Sequence, residues 1–166
     1  MEVERILDEG APKLSAIEKV LFLKGTDFFR ELGGEYLLHI SKVASESEFQ
    51  SDDTIFEEGD LDRSMFIVVE GAVRIEVHGK EVNVLKSGSC FGEMALLDGK
   101  ARSASAVAVE DTHVLKIEYD EFFELITERP EIAKGVMAVL SERLRSMLEE
   151  KGSGRMPVEK PGSRDA

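Results

Sequence analysis

Between residues 47 and 118 the apolar positions fall in short runs with a period near two. The runs cover residues 48–50, 54–56, 65–70, 72–77, 81–86, 103–109 and 112–118, and they are rich in β-branched and aromatic side chains. Such residues suit a pleated, half-buried surface. Turn-forming clusters part the runs: Ser51-Asp52-Asp53, Gly59-Asp60-Leu61-Asp62, Gly71, His78-Gly79-Lys80 and Glu110-Asp111. Regularly spaced short strands of this kind predict a sandwich or barrel, here a jelly roll. Arg74-Ile75-Glu76-Val77 alternates polar and apolar, as a strand with one wet face does.

Outside this block the period lengthens. Leu14, Ile17, Val20 and Leu21 recur at helical spacing, Pro12 suits a first turn and Gly25 a stop, which predicts a helix over 12–24. We expect its apolar face to pack on the domain's own core rather than on a partner. Phe28-Phe29 and Leu32 read as a turn that plugs an apolar surface, and Leu37, Ile40 and Ala44 mark a helix over 35–44. A helix from Tyr119 has Asp120 as its expected cap and ends at Glu128-Arg129-Pro130. The longest helix is expected over 130–150, with an apolar stripe of Ile132, Val136, Val139, Leu140, Leu144 and Met147. Gly135 weakens its first turns. The resulting organisation is a flexible leader over 1–11 and one domain over 12–150, made of helices 12–44, barrel 47–118 and helices 119–150. A Gly- and Pro-containing tail over 151–166 has no apolar period and is expected to be disordered.

Composition narrows the function classes. The 166 residues suffice for one domain with a real core. A net charge of −13 argues against the chain itself binding nucleic acid or docking on an anionic membrane. No apolar run approaches the ~18 residues of a membrane span, and no signal-peptide pattern opens the chain. Cys90 is the one cysteine, so no internal disulfide forms and a reducing, cytoplasmic setting is the default. His39, His78 and His113 lie far apart without metal-ligand spacing, Cys90 has no activating neighbour, and there is no Walker-type run. We therefore expect neither catalysis nor a metal or resident cofactor.

One stretch remains that neither strand nor helix patterning explains, residues 88–107. Gly88 and Gly92 bracket a bend, Glu93 to Leu97 suit one short helical turn, and Asp98-Gly99-Lys100-Ala101 is a turn signal before Arg102. A helix start beside Gly92 offers free backbone N–H groups to an anion. Arg102 adds a planar fork of donors matched to phosphate oxygens. Ionised Glu93 is an acceptor and suits a sugar hydroxyl better than a phosphate. The plain alternative is a surface ion pair between Glu93 and Arg102.

The run Phe91-Gly92-Glu93-Met94-Ala95-Leu96-Leu97, followed by Arg102-Ser103-Ala104-Ser105 and Val107, closely resembles the phosphate-binding cassette of cyclic nucleotide-binding domains. Glu58-Gly59-Asp60, the run from Phe66 to Gly71, and Gly88 resemble that family's barrel turns, so the likeness extends over roughly 14–150. The resemblance implies a mainly β, eight-stranded jelly-roll barrel with helices packed outside at both ends. It implies Glu93 on the ribose 2′-hydroxyl with Gly92 and Met94 main chain beside it, and Arg102 on the cyclic phosphate with N–H groups near Ser103 and Ala104. Phe91 belongs to the same cassette. Val82 and Leu85 are candidates to bear the base. The ligand would be cyclic AMP or cyclic GMP; Ser103 leaves that choice open, and Ala101 stands where many members have Pro. The implied output is motion of helix 130–150 over the base, or homodimerisation through its stripe. The run from Leu14 to Lys24 is similar to bacterial members that carry this domain at the C-terminus of larger proteins, so we expect no DNA-recognition helix after residue 150 and a place in, or beside, a larger effector protein. The alternative from another class is an interaction or dimerisation module of the same fold that binds no nucleotide.

Overall fold

The computed structural model describes residues 13–153. Eight strands form two antiparallel sheets that face one another, with helices at both ends of the chain. Strands β1 (Ser45–Phe49), β8 (Thr112–Ile117), β3 (Met65–Glu70) and β6 (Cys90–Phe91) form one sheet in the order β1-β8-β3-β6. Strands β2 (Thr54–Phe56), β7 (Ser105–Ala108), β4 (Ala72–Val77) and β5 (Lys80–Lys86) form the other, in the order β2-β7-β4-β5. The helices are α1 (Ala16–Lys24), α2 (Gly34–Val43), the short α3 (Glu93–Asp98), α4 (Tyr119–Glu128) and α5 (Pro130–Ser153). This is the expected jelly-roll arrangement.

Two apolar cores result. One lies between the facing sheets and is largely aromatic: Phe49, Phe56, Phe66 and Phe91 join Val68, Val73, Ala106, Ala108 and Val114. Phe66 and Phe91 stack at 5.2 Å between ring centroids with 16° between planes. The other lies where the helices meet the β3–β8 side: Leu23, Phe28, Phe29, Leu37, Ile40, Met65, Ile67, Leu115, Phe122 and Ile132 are all buried there. Each such side chain contributes about 1.5–3 kcal/mol on leaving water. Phe28, Phe29 and Leu32 are the plug that the sequence suggested.

Several boundaries move, each for a local reason. Helix α1 begins at Ala16 because Ser15 caps it: Ser15 Oγ accepts from Glu18 N, and Glu18 reaches back to Ser15 N in a capping box. Pro12 lies outside the described residues. The expected apolar face of α1 divides. Leu14 and Val20 pack on the helical core, while Ile17 and Leu21 stay 71% and 68% exposed. The N-cap position of α4 is Glu118, whose side chain makes no capping hydrogen bond, and Asp120 sits inside the first turn instead. Helix α5 runs on to Ser153, so Lys151, Gly152 and Ser153 are helical and the expected tail starts too early. The leader over 1–11 and residues 154–166 lie outside the described residues. Ser103 and Ala104 form a bend, and β7 starts at Ser105.

Helix α5 buries Ile132, Val136 and Val139, but beyond them Leu144, Met147 and Leu148 are 63%, 56% and 70% exposed. The stripe is therefore covered only along the first half of the helix. Gly135 has a packing reason: an added Cβ there would come within 2.2 Å of Leu32 Cδ2, and Leu32 is buried. A helical Gly→Ala change ordinarily gains up to about 1 kcal/mol. Here overpacking costs about 1–3 kcal/mol, so Gly135→Ala is expected to lower the midpoint of urea unfolding. A raised midpoint would show that Leu32 yields freely.

Candidate functional site

The candidate site forms where α3 and the loop after it meet the β2–β3 connection. Gly92 is the N-cap of α3 at φ +78°, a left-handed conformation that glycine adopts without strain. An added Cβ at Gly92 would lie 2.5 Å from Arg102 Nη1 and 3.0 Å from the Ser64 carbonyl oxygen. So the guanidinium packs directly over the α3 cap, and only a residue lacking a side chain fits beneath it.

Arg102 is held from both backbone and side chain. Its N–H donates to the Asp60 carbonyl and its own carbonyl accepts from Gly59 N–H, each at 2.8 Å. This reciprocal pair gives the Gly59-Asp60 turn its place in the site. The side chain is 2% exposed. Nη2 donates to Asp62 Oδ2 at 2.5 Å and to Ser64 Oγ at 3.2 Å, and Nη1 donates to the Gly92 carbonyl at 3.2 Å. The guanidinium carbon lies 3.9 Å from the Phe56 ring centroid, a cation–π contact with the aromatic core. Arg102 Nε is buried without a hydrogen-bond partner. A buried N–H left unpaired costs free energy, and an anion beside the guanidinium would remove that cost.

Asp62 and Ser64, which hold the Arg102 side chain, were missed by the sequence reading. Burial pushes the Asp62 carboxyl up, but the Arg102 hydrogen bond and charge, with two hydrogen bonds from Ser64, outweigh it and hold the group below its ordinary value. No local signal marks them, because each meets Arg102 from about forty positions away.

Glu93 opens α3 and is half-buried. It does not pair with Arg102. Arg143 Nη1 on α5 donates to Glu93 Oε1 at 3.3 Å, while the Arg102 donors go to Asp62, Ser64 and the Gly92 carbonyl, so the plain Glu93–Arg102 ion pair is not formed. The structure thus brings Gly92, Glu93 and Arg102 together as expected and adds Asp62, Ser64 and Arg143. Met94 is 59% exposed, with its sulfur 3.8 Å from Ser103 Oγ. Ala104 is half-buried in the bend before β7. Phe91 is 4% exposed and stacked on Phe66 in the aromatic core directly before Gly92. Leu85 pairs with Val73 and packs against the aromatic core. Val82 sits at the β-bulge opposite Ile75 and Glu76 and is 59% exposed, so the two platform candidates occupy different settings.

Cys90, two residues before Gly92, is chemically quiet. Burial, reinforced by the Glu93 charge, pushes its thiol up to about 12. With so little thiolate at pH 8, its reaction with a disulfide reagent is expected to run at least about a hundredfold slower than in the denatured chain. Labelling at the free-thiol rate would refute that shielding. Among the described residues no cluster of His, Cys, Asp or Glu has the arrangement of a metal site. Among the described residues no helix is long and apolar enough to cross a membrane.

The fold and site together define an antiparallel β-barrel domain with a short helix and a buried arginine at its wall. Comparison with known proteins gives the class its name. A sequence model of the family "Cyclic nucleotide-binding domain" matches residues 46–129, and the chain belongs to that family. The chain is 36% identical over 128 residues to the cyclic AMP receptor protein of Thermus thermophilus, covering 74% of this chain and 59% of that protein. It is 34% identical over 121 residues to a cAMP-dependent protein kinase regulatory subunit of Debaryomyces hansenii, covering 70% of this chain and 27% of that one. The crystal structure of the Thermus thermophilus catabolite activator protein superposes with a TM-score of 0.65 at 34% identity, covering 76% of this chain and 62% of that one. The chain therefore spans between about a quarter and three-fifths of the length of these curated relatives.

Proposed function

We propose that this chain is a sensor domain that binds cyclic AMP or cyclic GMP without changing it, and passes occupancy to its C-terminal helix. The observation that carries the reading is Arg102. A guanidinium is buried at the α3 cap, aimed by Asp62 and Ser64, and keeps an unpartnered Nε. Burying a cation this fully is expensive unless something compensates it. Asp62 compensates the charge, and a cyclic phosphate would use the remaining donor.

Glu93 would accept from the ribose 2′-hydroxyl, the main chain at Gly92 and Met94 would line the sugar edge, and N–H groups near Ser103 and Ala104 would add to the phosphate contacts. Leu85 at the barrel wall would bear the base, with Val82 at the strand's exposed bulge. Arg102 supplies a local positive site against a chain whose net charge is −13. The role proposed for these residues is binding, with the ligand released unchanged. The setting in which a cyclic nucleotide signal operates is the cytoplasm, and the regulated partner is a larger effector to which the domain is joined or docked.

The half-covered stripe of α5 supports a mobile output. Leu144, Met147 and Leu148 need a surface, whether the occupied site or the same helix of a second copy. The direct test is isothermal titration of the 166-residue chain with cyclic AMP and then cyclic GMP. Saturable one-to-one binding of either bears the reading out. Absence of heat with both nucleotides would favour the interaction module of the same fold.

A further inference from the structure

Glu58, just ahead of the Gly59-Asp60 turn, reaches the tip of the β4–β5 hairpin. Its Oε2 accepts from the His78 backbone N–H at 2.9 Å, and its Oε1 lies 3.2 Å from His78 Nδ1. His78 and Gly79 form a two-residue turn with φ of +51° and +74°, the left-handed pair that a tight hairpin requires. Val77 pairs with Lys80 across that turn, so the His78 N–H lies outside the ladder and is open to an acceptor from elsewhere. The His78 side chain is 85% exposed, so the backbone bond, not the ring contact, carries the hold. Glu58 also donates its own N–H to Ser105 Oγ at 2.9 Å, at the start of β7. Gly59 and Asp60 hold the Arg102 backbone. The Ser103–Ala104 bend is thus pinned at both ends by the single turn 58–60, and Glu58 fastens that turn to the hairpin whose second strand carries Val82 and Leu85.

We infer that Glu58 is a positioning residue of the nucleotide site: its carboxylate holds the β4–β5 hairpin to the turn that pins Arg102 and Ser105, and so fixes the spacing between the phosphate bend and the β5 wall. This rests on the nucleotide-binding reading above and deepens it, since a cyclic nucleotide would touch both parts at once. Strand β5 is the outer strand of its sheet, and a bulge interrupts its pairing with β4. Freedom left in such a hairpin is lost when a ligand spans it and the bend, at a cost in affinity. A tether at the hairpin tip removes that freedom beforehand. The field of the carboxylate acts with the opposite sign. A negative charge near a phosphate opposes it, so a Glu58 acting through charge alone would give tighter binding when removed. The tether gives weaker binding.

The full chain and its Glu58→Ala and Glu58→Gln variants are titrated with whichever of cyclic AMP and cyclic GMP the wild type binds, and exchange of the His78 amide is followed in each ligand-free protein. Glu58→Ala is expected to speed that exchange, to weaken the nucleotide about two- to fivefold and to move the phosphorus resonance of the bound nucleotide toward its free position. Glu58→Gln keeps an oxygen that accepts from the His78 N–H, and is expected to restore most of all three. Wild-type affinity in Glu58→Ala, tighter binding by both variants, equal losses in both, a loss without movement of the phosphorus resonance, or an unchanged His78 amide would each overturn the inference while leaving nucleotide binding intact. Failure of all three proteins to bind either nucleotide would overturn the nucleotide reading itself, and the positioning role with it.

Discussion

Replacement of Arg102 by Ala should weaken cyclic nucleotide binding by one to two powers of ten or more, the largest loss expected at any single position of the site. A charge-assisted hydrogen bond contributes about 1.5–3 kcal/mol, and tenfold in affinity corresponds to about 1.4 kcal/mol. The geometry adds to that minimum. Asp62 and Ser64 hold Nη2 and the Gly92 carbonyl holds Nη1, so the fork is aimed before a ligand arrives. Little ordering cost then falls on binding. Arg102→Lys should recover only part of the loss, because an ammonium keeps the charge but cannot serve Asp62, Gly92 and a phosphate with one planar fork. Titration of both variants beside the wild type measures the effect, with circular dichroism to check that the barrel persists. An Arg102→Ala protein that titrates like the wild type would remove Arg102 from the phosphate role.

The second large effect falls on stability and lies away from the site. Gly71 alone joins β3 to β4, at φ +100°. An added Cβ would meet Thr112 Oγ1 at 2.5 Å, the Asp111 carbonyl oxygen at 2.6 Å and Thr112 Cα at 2.7 Å. Two of these three neighbours are backbone atoms at the start of β8, which cannot turn aside as a flexible side chain does. The strained φ costs about 1–3 kcal/mol and forced repacking about 1–3 kcal/mol more. Gly71→Ala should therefore lower stability by several kcal/mol and Tm by roughly 10 °C. Gly79 supplies the control, since it also has positive φ, at +74°, but nothing lies within 4 Å of its Cβ position. Gly79→Ala should cost only the φ strain. Equal losses in the two variants, read by calorimetry, would show that the contact at Thr112 is relieved.

Much of this architecture was readable from the chain, and the failures have identifiable causes. Seven strands announced themselves because each run is long enough to show a period and is closed by a turn cluster. Strand β6 has two residues, and two residues carry no period. The Ser103 to Val109 alternation looks continuous, but the reciprocal hydrogen bonds between Arg102 and the Gly59-Asp60 turn hold the chain in a bend until Ser105. The capping box at Ser15 and Glu18 was legible as Ser-x-x-Glu and was passed over in favour of Pro12. At the site, Gly92, Glu93 and Arg102 are close enough in sequence to read as one cassette. Asp62, Ser64 and Arg143 enter through tertiary packing. On the chain each is an ordinary polar residue among many, with Arg143 inside the charged Glu142-Arg143 face of a long helix.

The bulge between β4 and β5 bears on colloidal behaviour. Strand β5 is the outer member of its sheet, and such a strand can recruit a strand from a neighbouring molecule and seed aggregates. Here the bulge at Ile75 and Glu76 breaks its regular pairing, and Lys80, Glu81 and Lys86 put charges along it. A stranger seeking to extend the sheet would find an irregular register and would have to strip water from those charges. The exposed Val82 and Val84 can thus be tolerated without making the barrel wall adhesive.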